Sequence, residues 1–282
     1  MKIKRIVMLL FAAMFIVACG AGGGSKQEAT KPQTLNISVF LDLSDRIADK
    51  NLVPNQVYRD TAIINYLTEY FISHTLGIHI LQSENKMKVF FYPTPQDAKI
   101  SELSKRLSVD IGSKTGVGKR VSLEAMRTVF PETLDSIYSK SMESKKWPGC
   151  DIWDFFSSKK VDNLCVKNGA RNILVILTDG YIYHEKNAFQ EGDADSYIGH
   201  KKLDGKQDIT LIDRRKGDLS GKGLEVLMLE INPSKPAHKD KMMKTLENWF
   251  KSMGIEKFVV AETDANLTNT ETIIKNFLDN NR

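Results

Sequence analysis

The sequence predicts an α/β domain with a doubly wound, mostly parallel central sheet flanked by helices. Three observations predict it. Short apolar runs rich in β-formers recur along the chain: Ile37 to Leu41, Val89 to Tyr92, Ile173 to Leu177, Leu224 to Leu229 and Phe258 to Val260. They mostly do not alternate with polar residues, and unbroken runs of that length are how strands buried on both faces read. Segments of helical period separate them, and strand–helix alternation with right-handed crossovers places helices on both faces of a parallel sheet. Finally, two of the runs stop at an acidic residue, Asp42 and Asp179, at the strand edge where open α/β sheets bind ligands.

The helices follow in order. Val57, Ile64, Leu67 and Phe71 recur at helical spacing, with Pro54 placed to start a helix and Gly77 near its end. Ser122 to Ile137 is a second candidate, expected to break at Pro131. Pro236 to Met253 ends at Gly254, a helix stop, and Thr270 to Leu278 forms a terminal helix. Two stretches do not fit simple alternation and read as insertions, near 139–170 and 181–223. Within the second, Ile209 to Ile212 is expected as an additional edge strand.

The first residues read as an address. Lys2, Lys4 and Arg5 precede an apolar run from Ile6 to Val17, too short for a membrane-spanning helix of about 20 residues and suited to a secretory signal. Ile16-Val17-Ala18-Cys19 resembles the lipobox of bacterial lipoproteins. That resemblance implies cleavage after residue 18, a diacylglyceryl group on the Cys19 sulfur and palmitate-type acylation of its new amino group. Stable membrane anchoring follows from several acyl chains on one residue. Residues 19–34 then form a lipidated flexible tether, because their Gly, Ser, Lys, Gln and Glu cannot bury apolar surface, and residues 35–282 form the domain. Gly20 after the cysteine is compatible with outer-membrane sorting, by analogy with lipoproteins generally, so the expected location is the cell envelope.

Charge narrows the partners. Loss of Lys2, Lys4 and Arg5 with the signal takes the 40 basic residues to 37, against 35 acidic. No strongly basic face is implied, which argues against nucleic acid. Two further cysteines, Cys150 and Cys165, flank the aromatic stretch Asp151 to Phe156. In an oxidising compartment a disulfide closing that loop is expected. Two free buried thiols are the alternative, since spacing fixes no geometry. Trp147, Trp153, Phe155 and Phe156 either pack this loop onto the domain or form an exposed patch. Oligomeric state is not legible in the sequence.

The candidate site lies at the two acidic strand ends. The first strand runs into Leu41-Asp42-Leu43-Ser44-Asp45-Arg46 and a later one into Thr178-Asp179-Gly180. Either carboxylate alone is more often a helix cap, whereas the pair points to a site. The pattern resembles the von Willebrand factor type A family, whose metal-ion-dependent adhesion site uses an Asp-x-Ser-x-Ser turn, a loop Thr and an Asp after a later strand. The resemblance implies Asp42, Ser44, Thr115 (in Lys114-Thr115-Gly116) and Asp179 as ligands of Mg²⁺, Mn²⁺ or Ca²⁺. It also implies a protein or peptide partner whose acidic side chain adds a ligand. An all-oxygen donor set suits such hard cations and not zinc.

This chain departs from the motif at its last position, which is Arg46 and not serine. A guanidinium has no acceptor and cannot ligate a metal. It either pairs with Asp42, Asp45 or Asp179 and takes the cation's place, or leaves Asp45 to add an oxygen. The expected role is therefore binding and not catalysis. Two alternatives remain: a metal-assisted hydrolase using Asp42 and His184, or a structural subunit of an envelope assembly in which Arg46 replaces the metal. Residues 112–120 superficially match a phosphate loop, but Ser113 stands at the first glycine position and Arg120 where the metal-binding hydroxyl belongs.

Overall fold

The computed structural model of the chain describes residues 33–145, 147 and 149–279. The expected signal sequence, Cys19 and most of the expected tether lie outside the described residues. β1 (Thr34–Leu41) leads through a 3₁₀ turn (Asp45–Ala48) into α1 (Gln56–Gly77); β2 (Lys86–Phe90), α2 (Ala98–Ser104), β3 (Ser108–Asp110) and α3 (Val117–Ser144) follow. Next come β4 (Gly149–Cys150), α4 (Ile152–Ser157), α5 (Lys160–Cys165) and β5 (Ala170–Leu177). A second insertion holds β6 (Tyr183–His184), β7 (Gln190–Glu191), β8 (Ala194–Asp195), α6 (His200–Asp204) and β9 (Thr210–Leu211). β10 (Leu224–Ile231), α7 (Lys239–Ser252), β11 (Lys257–Glu262) and α8 (Leu267–Asp279) close the order.

The main sheet has the order β11-β10-β5-β1-β2-β3. Every pairing is parallel except that of β2 with β3. The chain winds outward from β1 through β2 to β3, then returns to the other side of β1 and winds outward again through β5, β10 and β11. This is the doubly wound, mostly parallel arrangement expected from the sequence, and the strand order reverses between β1 and β5. Those two strands pair in register, with Leu41 opposite Leu177, so both acidic strand ends emerge at that reversal.

Strand periodicity divides the core. Leu35, Ile37, Val39 and Leu41 face one side with Ile173, Val175 and Leu177, under α1, α3 and α8. Phe40, Leu174, Ile176, Val226 and Met228 face the other side, under α4, α5 and α7. Asn55 caps α1 by accepting from the Tyr58 N–H at 2.9 Å. Phe155 and Phe156 are fully buried, in ring contact with Phe40, Phe90 and Trp249. Trp153 is half-buried and its Nε1 donates to the Ile212 carbonyl at 2.9 Å. The aromatic stretch thus packs its loop onto the sheet.

Three expectations are corrected. α3 runs unbroken through Pro131: Met126, Phe130, Leu134 and Ile137 are buried against the core on both sides of it, and that packing outweighs the roughly 3 kcal/mol cost of an interior proline. Residues 209–212 do not extend the main sheet; β9 belongs to a separate three-stranded sheet, β7-β8-β9. The edge position is taken by antiparallel β3, three residues whose sequence Ser-Val-Asp carries no strand period.

The third correction is the disulfide. Cys150 and Cys165 are free, buried thiols. Cys165 sits near the start of β1, where its carbonyl accepts from Asn36 Nδ2 at 2.9 Å. Cys150 sits near the far end of the strands, where the charges of Asp42 and Asp179 act on its thiol. At about 3.3 Å per residue the span from Asn36 to Asp42 is roughly 20 Å, well beyond the roughly 7 Å Cα separation a disulfide tolerates. Burial pushes the Cys165 thiol up to about 11 and raises the Cys150 thiol well above its ordinary range, so neither is a ready thiolate. In a chain carrying Cys19→Ser, a thiol-titrating disulfide reagent should therefore find no reactive group in the native state and both thiols in denaturant. Fewer than two on unfolding would restore the disulfide.

Candidate functional site

The turn after β1 is built around Asp42. Its backbone N–H continues the ladder to the Leu177 carbonyl at 3.0 Å. Its buried carboxylate accepts from the Ser44 N–H at 2.8 Å through Oδ1, and from the Thr178 hydroxyl at 2.9 Å through Oδ2. The two strand ends are therefore stitched together side chain to side chain. Asp179, two residues beyond Leu177, accepts from the Tyr181 N–H at 3.1 Å. Gly180 turns the chain at φ +94°, and a Cβ there would stand 2.5 Å from Met242 Sδ, so this tight turn needs glycine.

Arg46 lies inside the site. Its Nε donates to the Asp42 carbonyl at 3.0 Å and stands 3.7 Å from Asp42 Oδ2. Nη2 donates to the Leu177 carbonyl at 3.1 Å and to Asp60 Oδ2 at 2.8 Å, while Nη1 donates to Asp60 Oδ1 at 3.3 Å. Asp60, on α1, also accepts from Gln56 Nε2 and from the Tyr138 hydroxyl of α3, each at 2.8 Å. Gln56 reaches on to Glu230 Oε2 at 3.3 Å, and Glu230 takes Arg59 in a fork through Nε at 2.6 Å and Nη2 at 2.9 Å. Two buried ion pairs are thus joined through one glutamine.

Burial opposes the Arg46 charge, but Asp60 and then Asp42 hold the guanidinium firmly protonated. Burial raises Asp60, and Arg46, Gln56 and Tyr138 counter it. Burial, with the like charge of Asp42 second, raises Asp179 from an ordinary 3.8 to about 7, against the pull of Arg46. The folded chain therefore keeps a proton on Asp179 that the unfolded chain has lost. Its contribution to stability is complete below about pH 3.8 and disappears as pH rises towards 7. In chelator-containing buffer, wild type should lose about 2 kcal/mol more than Asp179→Asn over that window by urea unfolding, the full shift being discounted for a half-buried group. Parallel pH profiles would contradict this.

Of the residues singled out in the sequence, Asp42, Ser44, Arg46 and Asp179 come together. Asp45 is exposed on the outer side of the same turn. Thr115 is not brought in. The Ile111 N–H bonds the Asn85 carbonyl, and Asn85 Oδ1 accepts from Leu35 at the start of β1, so this loop lies at the opposite edge of the sheet. Leu35 and Asp42 are separated by roughly 23 Å at strand rise. His184 does not join Asp42 either; its Nδ1 stands 3.7 Å from Asp151, beside Asn187. Sequence reasoning missed Gln56, Arg59, Asp60, Tyr138 and Glu230. A signal for three of them was present: Gln56, Arg59 and Asp60 precede Ile63, Ile64 and Leu67 at helical spacing on the buried face of α1.

The donor set does not fit a divalent cation. Without Thr115, the expected set is reduced to Asp42, Ser44 and Asp179, short of the roughly six oxygens a divalent cation takes, and each Asp42 oxygen shares its lone pairs with a protein hydrogen bond. Among the described residues, no group of three or more His, Cys, Asp or Glu side chains is placed to hold an ion. A second cation at this spot would also face the Arg46 guanidinium, at about 4 kcal/mol per unit charge for 4 Å and an effective dielectric of 20.

Fold and site together define a doubly wound α/β domain whose strand-reversal point holds an internal guanidinium. No protein-family profile matches the chain, and no curated protein matches its sequence. Among solved structures it is similar to the conserved hypothetical protein BatB from Bacteroides thetaiotaomicron, at 10% identity and TM-score 0.42, covering 86% of this chain and 98% of that one. A second likeness is to an aerotolerance-related membrane protein from Bacteroides fragilis NCTC 9343, at 11% identity and TM-score 0.43, covering 87% and 98%. A third is to the pilus adhesin SpaC from Lactobacillus rhamnosus GG, at 13% identity and TM-score 0.42, covering 88% of this chain and 31% of that one.

Proposed function

We propose that this chain is an envelope lipoprotein, anchored through Cys19, whose domain binds a protein partner at the carboxyl edge of the sheet without a metal ion. One observation carries the reading: Arg46 is fixed by the Asp42 and Leu177 carbonyls and by Asp60 at the point where a cation would sit. A built-in cation already paired with Asp60 and beside Asp42 takes no ligand from a partner, so recognition rests on the surrounding surface. That surface suits protein contact. Val53 and Tyr58, on the segment leaving β1, and Tyr183 and Phe189, on the segment leaving β5, are all exposed, and aromatic enrichment is a mark of interfaces. The same reading favours the envelope-assembly role over hydrolysis, because Asp42 and His184 form no dyad.

Two measurements test it. Calorimetric titration with Mg²⁺, Mn²⁺ or Ca²⁺ should give no binding heat with wild type; saturable heat abolished by Asp179→Ala would return the metal. In whole cells, a photo-crosslinking residue at position 183 or 189 should give a discrete protein adduct that survives chelator. The same probe at Leu81, which is exposed on the loop before β2, should give none. Equal labelling at all three positions would remove the binding face.

A further inference from the structure

We propose a second binding site, on the open edge of β2, for an extended apolar peptide segment of a partner protein that carries a carboxylate. β2 outruns its neighbour. β3 pairs only with Lys86–Lys88, and the last bond along that edge runs from the Val89 N–H to the Leu107 carbonyl at 2.8 Å. Beyond it lies a groove of about 450 Å³ lined by residues 89–92, by Pro95 and Ser104, and by Lys160, Asn163 and Leu164 of α5.

Backbone groups alternate between the two sides of a strand. Val89 points its N–H outward, so Phe91 does too. Phe91 is only 7% exposed, and outside the bonds within helices and strands its N–H donates to no backbone carbonyl among the described residues. An N–H turned towards the groove is a donor that an added strand would engage. Extended peptides recognised in this way take affinity from main-chain bonds and specificity from pockets for alternate side chains. Here the pocket wall is apolar at Leu164, which is 38% exposed. The charge is supplied by Lys160, with which no acidic side chain pairs among the described residues. That complementarity selects a carboxylate. The chain's own tether does not match, because residues 20–31 are Gly, Ala, Ser, Lys, Gln, Glu and Thr, with no large apolar side chain.

The test is hydrogen exchange of the full chain, read by mass spectrometry over residues 88–94. The probes are acetyl-Val-Thr-Val-Thr-Asp with a free carboxyl terminus and its counterpart ending in lysine amide, both at millimolar concentration. The acidic probe should slow exchange in that segment and the basic one should not. Lys160→Glu should weaken the acidic probe about fivefold and reverse the preference, as expected for an exposed pair. Leu164→Glu, at an exposed position, should weaken the acidic probe at least tenfold. Protection should persist in Asp179→Asn, which separates this site from the strand-end face. No protection by the acidic probe, or protection indifferent to both α5 variants, overturns the proposal. Protection that grows with protein concentration in the absence of peptide assigns the edge to a second copy of the chain, and equally overturns it.

Discussion

Arg46→Ala should cost the domain about 3–5 kcal/mol of unfolding free energy, the range for removing one partner of a buried ion pair. The loss is large because of what stays behind. Asp60 is fully buried and keeps only Gln56 and Tyr138 as donors, and the Asp42 and Leu177 carbonyls lose the guanidinium that bridges them. Arg46→Lys should recover less than half of it, since an ammonium cannot fork onto Asp60 while also reaching two carbonyls. The double change Arg46→Ala with Asp60→Asn should be milder than Arg46→Ala alone, because the stranded charge is gone. Urea unfolding at pH 7 reads all three. A loss below about 1 kcal/mol for Arg46→Ala would mean the pair contributes no more than an exposed one. The companion change Arg46→Ser with Asp60→Asn restores the Asp-x-Ser-x-Ser pattern and removes the competing cation. If the guanidinium is what excludes metal, this variant should give Mg²⁺ binding heat that wild type lacks.

The fold was legible because parallel strands buried on both faces leave an unmistakable trace. Runs such as Ile173 to Leu177 have no polar residue to satisfy, and their spacing leaves room for one crossover helix each. β3 was not legible, because its three residues owe their strand conformation to the exposed edge of β2 and not to their own pattern. The unbroken α3 shows the same tertiary override of a local signal, with buried Phe130 and Leu134 flanking Pro131. At the site, Asp42 and Asp179 could be found because each ends a buried run. Thr115 could not be placed, since no rule of spacing says at which edge of the sheet a loop lies. The direction of β3 decides it, returning the chain to the edge where β1 begins. The disulfide expectation failed for a related reason. The α4–α5 segment spans from one edge of the sheet to the other, so two cysteines only 15 positions apart in sequence end at opposite edges.

Glu230→Ala should be comparably damaging, again about 3–5 kcal/mol, and its backbone makes the test informative. Glu230 holds φ +71° where β10 shifts register against β11 between Met228 and Ile231, so a side-chain-bearing residue sits at a bulge that favours glycine. The conformation is tolerated because the carboxylate thereby reaches Arg59, itself fully buried and with Nη1 already lacking a partner. Glu230→Gly removes the same charge but relieves the backbone, and should be milder than Glu230→Ala by about 1 kcal/mol. If the two variants are equal, the left-handed residue carries no strain. Because Gln56 touches both Asp60 and Glu230, the two ion pairs form one network. Losses from Glu230→Ala and Arg46→Ala should then depart from additivity by at least about 0.5 kcal/mol, beyond what independent sites show. Strict additivity would separate them, leaving the strand-end guanidinium dependent on Asp60 alone and the bulge in β10 without influence on the face proposed to bind a partner.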